Sequence, residues 1–320
     1  MIRPEELQTI AVVGLGKMGA DWVTQLLEGG YRVIGFDAEP GARKSARDRI
    51  RSGLEWVEKK KKAGERGFAA GALERFQLAD SEEAFVSAAR DKAQVLLEVV
   101  FEDLALKCDL FARVVPKLPA ETVVWTNTSS LSIEAMGLAS GRLDRFCGTH
   151  GMNPVYQMPA VEVVTHRELE PAVLSFTLAV MEKMGKIPFV AADVPGFWVN
   201  KHLVPFMLEA MRALERGEIT VEDGDKGLKN SLGHPQGVFK LADYIGADTM
   251  YRVAMAMYLA TQDPRYYPPA ILARMFQRKE FGVKTGTGFY SWEGGKPALA
   301  RSFADFRIKD SGTLLYVSAP

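Results

Sequence analysis

Cysteine and histidine are scarce in this chain of 320 residues, which contains two cysteines and four histidines. The two cysteines, Cys108 and Cys147, are too few for a disulfide framework or, by themselves, for a zinc site. We therefore expect no metal site, a reducing environment and a cytoplasmic location. The four histidines leave few candidates for a general base, which narrows the search for catalytic residues.

Long apolar runs and an imbalance of charge are also missing. No run of about 18 uncharged apolar residues occurs, so no segment is predicted to span a membrane. The 40 Lys and Arg residues balance the 40 Asp and Glu residues, which leaves no net charge to attract nucleic acid or an anionic membrane. With 47% hydrophobic residues, the chain is expected to be globular and long enough for two domains.

Short apolar runs and helical stretches alternate through the first part of the chain, which is typical of a parallel sheet covered by helices. A long excursion at 40–91 separates the second strand from the third and is predicted to form two charged helices. The predicted strands are Ile10–Gly14, Arg32–Phe36, Val95–Val99, Thr122–Trp125, Phe146–Thr149 and Val161–Val164, with Pro188–Val190 as a candidate last strand.

The pattern changes after Asp193–Gly196. Apolar residues then recur at helical spacing, and the only later strand candidate is Leu314–Val317. We therefore place a domain boundary near residue 193, with an α/β domain over 1–192 and an all-α domain over 193–320.

A glycine-rich turn follows the first predicted strand. Gly14, Gly16 and Gly19 fit G-x-G-x-x-G at the junction of a strand and a helix. The first glycine permits a tight turn, the second lets the backbone approach a pyrophosphate, and the third lets helix and strand pack closely. The pattern predicts a Rossmann-like dinucleotide site at this turn, and Lys17 and Met18 are predicted to belong to it.

Asp37 comes directly after the second predicted strand, 18 residues beyond Gly19. This kind of site places a ribose-binding carboxylate at about that distance from its glycines. A carboxylate accepts hydrogen bonds from the ribose hydroxyls and repels a 2′-phosphate, so NAD is favoured over NADP. Arg43 is close enough in sequence to leave NADP open, because arginines accompany NADP sites. A flavin dinucleotide fits the turn equally well, but the residues downstream favour alcohol chemistry.

Four polar residues form an ordered series in the middle of the chain, namely Ser129, His150, Glu162 and Asn200. Imidazole has an ordinary pKa near neutrality and suits the removal of a hydroxyl proton while hydride leaves the carbon. A carboxylate on the other ring nitrogen fixes the tautomer, and two strands joined by a loop could bring His150 and Glu162 together. Ser129 and Asn200 would then hold the substrate oxygen. A Ser-His-acid hydrolase is the other interpretation, although no G-x-S-x-G motif is present.

Five sequence blocks together resemble the L-3-hydroxyacyl-CoA dehydrogenase family over nearly the whole chain. They are the glycine turn, N-T-S-S-L, H-G-M-N-P leading to V-E-V, P-G-F-W-V-N and F-G-V-K-T-G-T-G-F-Y-S-W. The resemblance implies a Rossmann-like N-terminal domain, a helical C-terminal domain that forms a homodimer, and NAD as the cofactor. It also implies oxidation of the 3-hydroxyl of an (S)-3-hydroxyacyl-CoA.

The same resemblance assigns roles to individual residues. It makes His150 the general base, Glu162 its orienting carboxylate, and Ser129 and Asn200 a pair that positions substrate and cofactor. It implies that Glu102, Lys107 and Asn127 line the NAD site, that Asn153 lies beside the active site, and that Lys60 contacts coenzyme A. A solvated helix face is the simpler interpretation of the four-lysine run that contains Lys60.

The chain departs from the family just after the histidine. Acyl-CoA members carry two phenylalanines there, whereas this chain has Gly151 and Met152. The segment V-Y-Q-M-P-A-V-E is closer to that of carnitine and gulonate dehydrogenases, whereas F-G-V-K-T-G-T-G-F-Y is a feature of the acyl-CoA branch. We hypothesise a hydroxyacyl-CoA dehydrogenase whose acyl pocket is enlarged at Gly151. A dehydrogenase of a small free hydroxy acid is the alternative, and a non-catalytic dinucleotide-binding or structural protein is disfavoured because His150 and Glu162 are both present.

Overall fold

Eight strands form one sheet in the first unit, Met1–Val199, of the computed structural model, which describes residues 3–302. The strands are β1 Thr9–Val13, β2 Arg32–Phe36, β3 Phe76–Leu78, β4 Val95–Glu98, β5 Val123–Thr126, β6 Phe146–Gly151, β7 Ala160–Thr165 and β8 Ile187–Ala192. Across the sheet they lie in the order β3, β2, β1, β4, β5, β6, β7, β8. The order reverses between β1 and β4, and sheets of this kind bind nucleotides at the carboxyl ends of the strands beside such a reversal.

Helices cover both faces of this sheet, which is why its strands are continuous apolar runs. The helices are α1 Lys17–Glu28, α2 Pro40–Lys60, α3 Phe68–Leu73, α4 Glu82–Ala89, α5 Leu104–Val114, α6 Ile133–Ser140 and α7 Pro171–Lys183. Buried side chains of α1, α2, α3 and α7 form the core on one face. Those of α4, α5 and α6 form the core on the other face. The Rossmann-like first domain expected from the sequence is therefore confirmed.

The excursion at 40–91 differs from the pair of charged helices that the sequence predicts. It contains α2 and α3, then the short strand β3, which pairs in parallel with β2, and then α4. β3 has three residues, of which only Phe76 is fully buried. A run this short carries no alternating pattern that sequence periodicity could detect.

The last two strands of the sheet reverse direction. β7 is antiparallel to β6, and β8 is parallel to β7. The register of β6 and β7 places His150 directly opposite Glu162. Directly opposed residues of an antiparallel pair project their side chains from the same face, so the expected meeting of these two residues is confirmed.

Helices dominate the described part, 200–302, of the second unit, Asn200–Pro320. Its helices are α8 Val199–Glu215, α9 Val221–Leu232, α10 Val238–Ile245, α11 Ala247–Thr261 and α12 Ala270–Gln277. A hairpin of β9 Tyr290–Glu293 and β10 Lys296–Ala300 was not expected from the sequence. The predicted strand Leu314–Val317 lies outside the described residues. The division between the units falls a few residues after the predicted boundary at 193, and no helix within 3–302 is both long and apolar enough to cross a membrane.

The carboxylate of Asp243 on α10 anchors the F-G-V-K-T-G-T-G-F-Y-S-W block. It accepts hydrogen bonds from the backbone of Phe289 at 2.8 Å and of Tyr290 at 2.9 Å. It also accepts one from the indole of Trp292 at 2.8 Å. Burial raises the pKa of Asp243 to about 6. This sequence block thus stabilises the helical unit, because its residues satisfy a buried carboxylate.

Candidate active site

The turn between β1 and α1 has the geometry that a dinucleotide requires. Gly14 has a φ of +93°, and a Cβ there would lie 2.4 Å from the backbone of Val99. A Cβ on Gly19 would lie 1.9 Å from the carbonyl oxygen of Gly14. Gly16 faces open space, and no described side chain caps α1, whose first turn holds no acidic residue. Uncapped N–H groups at a helix start bind phosphate well, so these residues fit a pyrophosphate.

The two other residues predicted for this turn differ in exposure. Lys17 is exposed at the first position of α1, whereas Met18 is half-buried and packs against the core on that face of the sheet. The side chain of Met18 therefore helps to hold the turn, while Lys17 places a positive charge at its rim.

Asp37 fastens the glycine turn to the start of α2. Its Oδ2 accepts the N–H of Leu15 at 2.6 Å, and its Oδ1 accepts the N–H of Glu39 at 2.8 Å. Each carboxylate oxygen has a second lone pair, so both can still accept a ribose hydroxyl. The guanidinium of Arg43 donates to the carbonyl oxygens of Asp37 and Ala38. Arg43 is thus bound to the backbone, and Asp37 supplies a negative charge directly after β2.

His150 and Glu162 form a buried pair at the end of β6. Nδ1 of His150 lies 2.6 Å from Oε2 of Glu162, and the two side chains are 7% and 0% exposed. Phe197 packs edge-on against the imidazole, with ring centroids 5.9 Å apart. When Nδ1 donates its proton to the carboxylate, Nε2 carries the free lone pair. The arrangement therefore presents Nε2 as a base.

The second oxygen of Glu162 has its own partners. Oε1 accepts hydrogen bonds from the backbone N–H groups of Trp198 and Val199, each at 2.9 Å. These groups lie at the start of α8, where a helix carries partial positive charge that stabilises a carboxylate. Sequence reasoning missed this contact because backbone donors have no residue signature.

Asn127 braces the end of β6 through its side-chain oxygen. Its Oδ1 accepts the indole N–H of Trp22 at 2.7 Å and the backbone N–H of Gly151 at 3.0 Å. All three residues are buried. A role for Asn127 at the NAD site stays a prediction. The contact of Trp22 with Asn127 could not be predicted, because the two residues are far apart in the sequence and no motif links them.

The enlarged acyl pocket proposed at Gly151 is wrong. Successive strand residues face opposite sides of a sheet, so Gly151 faces away from the side on which His150 meets Glu162. A Cβ on Gly151 would lie 2.9 Å from Cζ2 of Trp22 and 3.3 Å from Cγ2 of Val155. Both neighbours are fully buried. Trp22 therefore fills the space beside Gly151, and the missing phenylalanine leaves no void for an acyl chain.

Lys107 forms a buried ion pair beside the nucleotide crevice. Its Nζ lies 2.5 Å from Oε1 of Glu98, at the end of β4, and the side chains are 1% and 0% exposed. Glu98 also accepts the hydroxyl of Thr126 at 2.5 Å and the N–H of Val100 at 2.6 Å. Burial raises the pKa of Glu98, and the Lys107 ammonium opposes that rise. The pair ties β4, β5 and α5 together, and Glu98 lies outside the sequence motifs described above.

Glu102 holds the loop that carries Ser129. Its Oε1 accepts the backbone N–H of Ser129 at 2.8 Å and the hydroxyl of Thr128 at 2.7 Å. A weaker ion pair of 3.5 Å joins Glu102 to Lys107. The backbone of Ser129 is therefore fixed at the carboxyl end of β5, two strands away from the glycine turn.

The remaining predicted residues lie on separate elements. Asn153 is exposed on the loop that follows β6, and Lys60 is exposed at the last position of α2. The next lysine, Lys61, pairs with Glu28 at 3.0 Å and so stabilises the packing of α2. Asn200 lies in α8, in the second unit, and its approach to His150 stays a prediction. Residues 3–302 contain no group of three or more His, Cys, Asp or Glu side chains able to hold a metal ion.

A nucleotide turn and a buried histidine–carboxylate pair along the carboxyl edge of one sheet define a dinucleotide-dependent dehydrogenase. Comparison with known proteins gives the family. Residues 9–194 match the model for the 3-hydroxyacyl-CoA dehydrogenase NAD-binding domain, and 196–292 match that for the 3-hydroxyacyl-CoA dehydrogenase C-terminal domain. The chain belongs to the 3-hydroxyacyl-CoA dehydrogenase family, and it is an NAD-dependent oxidoreductase.

Relatives match over most of their length. The chain is 32% identical to the mitochondrial hydroxyacyl-coenzyme A dehydrogenase of Sus scrofa, over 89% of this chain and 91% of that protein. It is 33% identical to a 3-hydroxybutyryl-CoA dehydrogenase of Mycobacterium tuberculosis, over 90% and 99%. The crystal structure of (S)-3-hydroxybutyryl-CoA dehydrogenase PaaH1 from Ralstonia eutropha superposes with a TM-score of 0.82 at 30% identity, covering 90% of this chain and 100% of PaaH1.

Proposed function

We propose that the protein oxidises the 3-hydroxyl of an (S)-3-hydroxyacyl-CoA to the 3-oxoacyl-CoA with NAD, in a reversible reaction. The observation that carries this proposal is the buried pair of His150 and Glu162, joined at 2.6 Å. A base with a free Nε2 suits removal of the hydroxyl proton, and NAD bound at the glycine turn would accept the hydride from the carbon that bears this hydroxyl.

Each residue has a defined part in this mechanism. Nε2 of His150 takes the hydroxyl proton, and Glu162 stabilises the imidazolium that forms at Nδ1. Ser129 and Asn200 hold the substrate oxygen with neutral hydrogen bonds, so that the hydride-bearing carbon faces the cofactor. Asn153 lies on the loop next to the base and orients the substrate.

Further parts of the proposal concern the nucleotide and the assembly. Glu102, Lys107 and Asn127 shape the cofactor crevice through the contacts described above. Lys60, exposed at the end of α2, supplies positive charge for the phosphates of coenzyme A. The protein works as a homodimer built through the helical unit, and it works in the cytoplasm. Size measurement by sedimentation tests the dimer directly.

The test is a screen for NAD reduction across (S)-3-hydroxyacyl-CoAs of different chain length and the free acids L-carnitine and L-gulonate. His150→Gln should lower kcat by roughly 10²–10⁴-fold, because the general base is lost. His234→Gln is the matched control, since His234 lies in the second unit beside the ring of Phe206 and should leave kcat unchanged. Full activity of His150→Gln would refute the base.

A free hydroxy acid is the second candidate substrate. The loop sequence V-Y-Q-M-P-A-V-E, which is closer to that of carnitine and gulonate dehydrogenases, favours it. Oxidation of a free acid with no activity on any thioester would replace the acyl-CoA proposal by this one.

A further inference from the structure

Trp22 joins the helix of the nucleotide turn to the strand that carries the base. It lies in the second turn of α1, fully buried, and its indole N–H reaches Oδ1 of Asn127 at 2.7 Å. The same Oδ1 accepts the backbone N–H of Gly151 at 3.0 Å. One oxygen atom therefore links α1 and β6 through the end of β5.

The contact is steric as well as polar. Cζ2 and Cε2 of Trp22 lie 2.9 and 3.2 Å from the position of a Cβ on Gly151, so only glycine fits there without displacing the indole. Trp22 of α1 thus packs against the chain that follows His150.

These bonds lie where the strand ladder stops. The pairing of β5 with β6 ends at Thr126 and Gly148, two residues before His150. Asn127 then supplies the next link with its side chain, and Ser129 follows on the same loop. Catalytic groups lose efficiency when their support allows displacements of about 0.5 Å or more.

We propose that Trp22 is a positioning residue for the dehydrogenase reaction. Through Asn127 and Gly151 it holds His150 and Ser129 at a fixed distance from the phosphate-binding end of α1. The proton leaves the hydroxyl oxygen and the hydride leaves the carbon that bears this oxygen, so the base and the nucleotide must be held at a fixed separation and need this common support. The inference rests on the proposed function, because it assumes that His150 is the base.

Trp22→Phe keeps most of the ring and removes the N–H. We expect kcat to fall by roughly 10-fold or more, from displacement of the base, with KM for NAD and substrate unchanged within about twofold. The primary deuterium isotope effect on kcat should rise, because misplacing the base slows the chemical step. The substrate is whichever 3-hydroxy compound the wild type oxidises.

Trp125→Phe is the matched control. Trp125 is also fully buried, and its indole donates to Thr177 at 3.0 Å, so the variant loses the same kind of bond without touching Gly151. Trp125→Phe should lose about as much thermal stability as Trp22→Phe, but its kcat should stay unchanged. If Trp22→Phe behaves in the same way, Trp22 is merely structural and the proposal is overturned.

A double-mutant cycle tests the steric part. Gly151→Ala should lower kcat in the wild type, where the new methyl meets the indole, and much less in a Trp22→Leu background. The two changes should therefore be non-additive in kcat by on the order of fivefold. Additive effects overturn the coupling. An inactive wild type, or an active His150→Gln, refutes the proposed function instead, so the two failures are distinguishable.

Discussion

At the scale of single residues, Glu162 connects two parts of the site through its two oxygens. Oε2 faces Nδ1 of His150, while Oε1 accepts the backbone N–H groups of Trp198 and Val199. The backbone donors have a fixed orientation, so an acceptor must always face them. A substitution can therefore remove the negative charge of Glu162 and keep the size and shape of the side chain.

Glu162→Gln should keep the fold and lose the chemistry. The amide oxygen will face the two backbone N–H groups, so the NH₂ group must face Nδ1 of His150. Nδ1 then becomes an acceptor and Nε2 carries the proton, which is the wrong tautomer for a base. We expect kcat to fall by roughly 10³–10⁴-fold. Steady-state kinetics together with a thermal unfolding midpoint check this, and a folded variant within tenfold of wild-type kcat would disprove it.

The contact between His150 and Glu162 could be predicted from the sequence, but the environment of the adjacent Gly151 could not. His150 and Glu162 were predicted to meet because one loop joins two strands and a base needs an orienting carboxylate. The prediction of an enlarged acyl pocket at Gly151 failed because successive strand residues face opposite sides of the sheet. Gly151 therefore faces the core on the side away from His150. Its partner Trp22 is remote in sequence, so only the folded chain reveals the contact.

At the scale of elements, Lys186 ties β8 to the loop between β6 and β7. Its Nζ donates to the carbonyl oxygens of Val155 and Met158, and the residue is 6% exposed. Burial, helped by the nearby charge of Lys61, lowers the pKa of Lys186 to about 8, and Glu28 opposes the shift. The loop that follows His150 is thus held by the Lys186 ammonium, whose charged form is destabilised by burial.

The pKa of Lys186 gives a stability prediction with a definite sign. The unfolded chain keeps a lysine pKa near 10.5, so between about pH 8 and 10.5 the unfolded state binds more protons than the folded state. The free energy of unfolding should therefore rise with pH across this window, by roughly 1–3 kcal/mol. Urea unfolding at several pH values checks this. Lys186→Met is the control, and it should lack the rise; equal pH slopes for both proteins would contradict the prediction.

Element-level prediction succeeded where apolar runs were long and failed where strands were short or exposed. β1, β2, β4 and β5 are buried on both faces and were found within a residue or two. The exposed strand β10 gave no apolar pattern. The turn before it, Gly294–Gly295, has φ of +55° and +76°. Two adjacent glycines favour a hairpin turn, but the mostly exposed residues of β10 lack the alternation that marks a strand.

At the scale of the whole molecule, the glycine turn and the carboxylate predicted to bind the dinucleotide lie in the first unit. The glycine turn, Asp37 and the uncapped start of α1 lie within 9–39, and the family model for the NAD-binding domain covers 9–194. A ligand that binds only the folded state stabilises it in proportion to its affinity. The preference for NAD or NADP can therefore be measured as the stabilisation that each nucleotide gives against unfolding, without any substrate.

NAD at about 100 times its Kd should stabilise the wild type by about 2.7 kcal/mol and raise its unfolding midpoint by several degrees, with NADP giving a smaller shift. Asp37→Asn should shrink the NAD shift, because a charge-assisted bond to ribose is worth about 1.5–3 kcal/mol. It should enlarge the NADP shift, because repulsion of the 2′-phosphate is relieved. Glu39→Gln, an exposed change of equal charge two residues away, is the control and should leave both shifts as in the wild type. Calorimetry with each nucleotide decides the matter: unchanged discrimination in Asp37→Asn would mean that this carboxylate only braces the turn through Leu15.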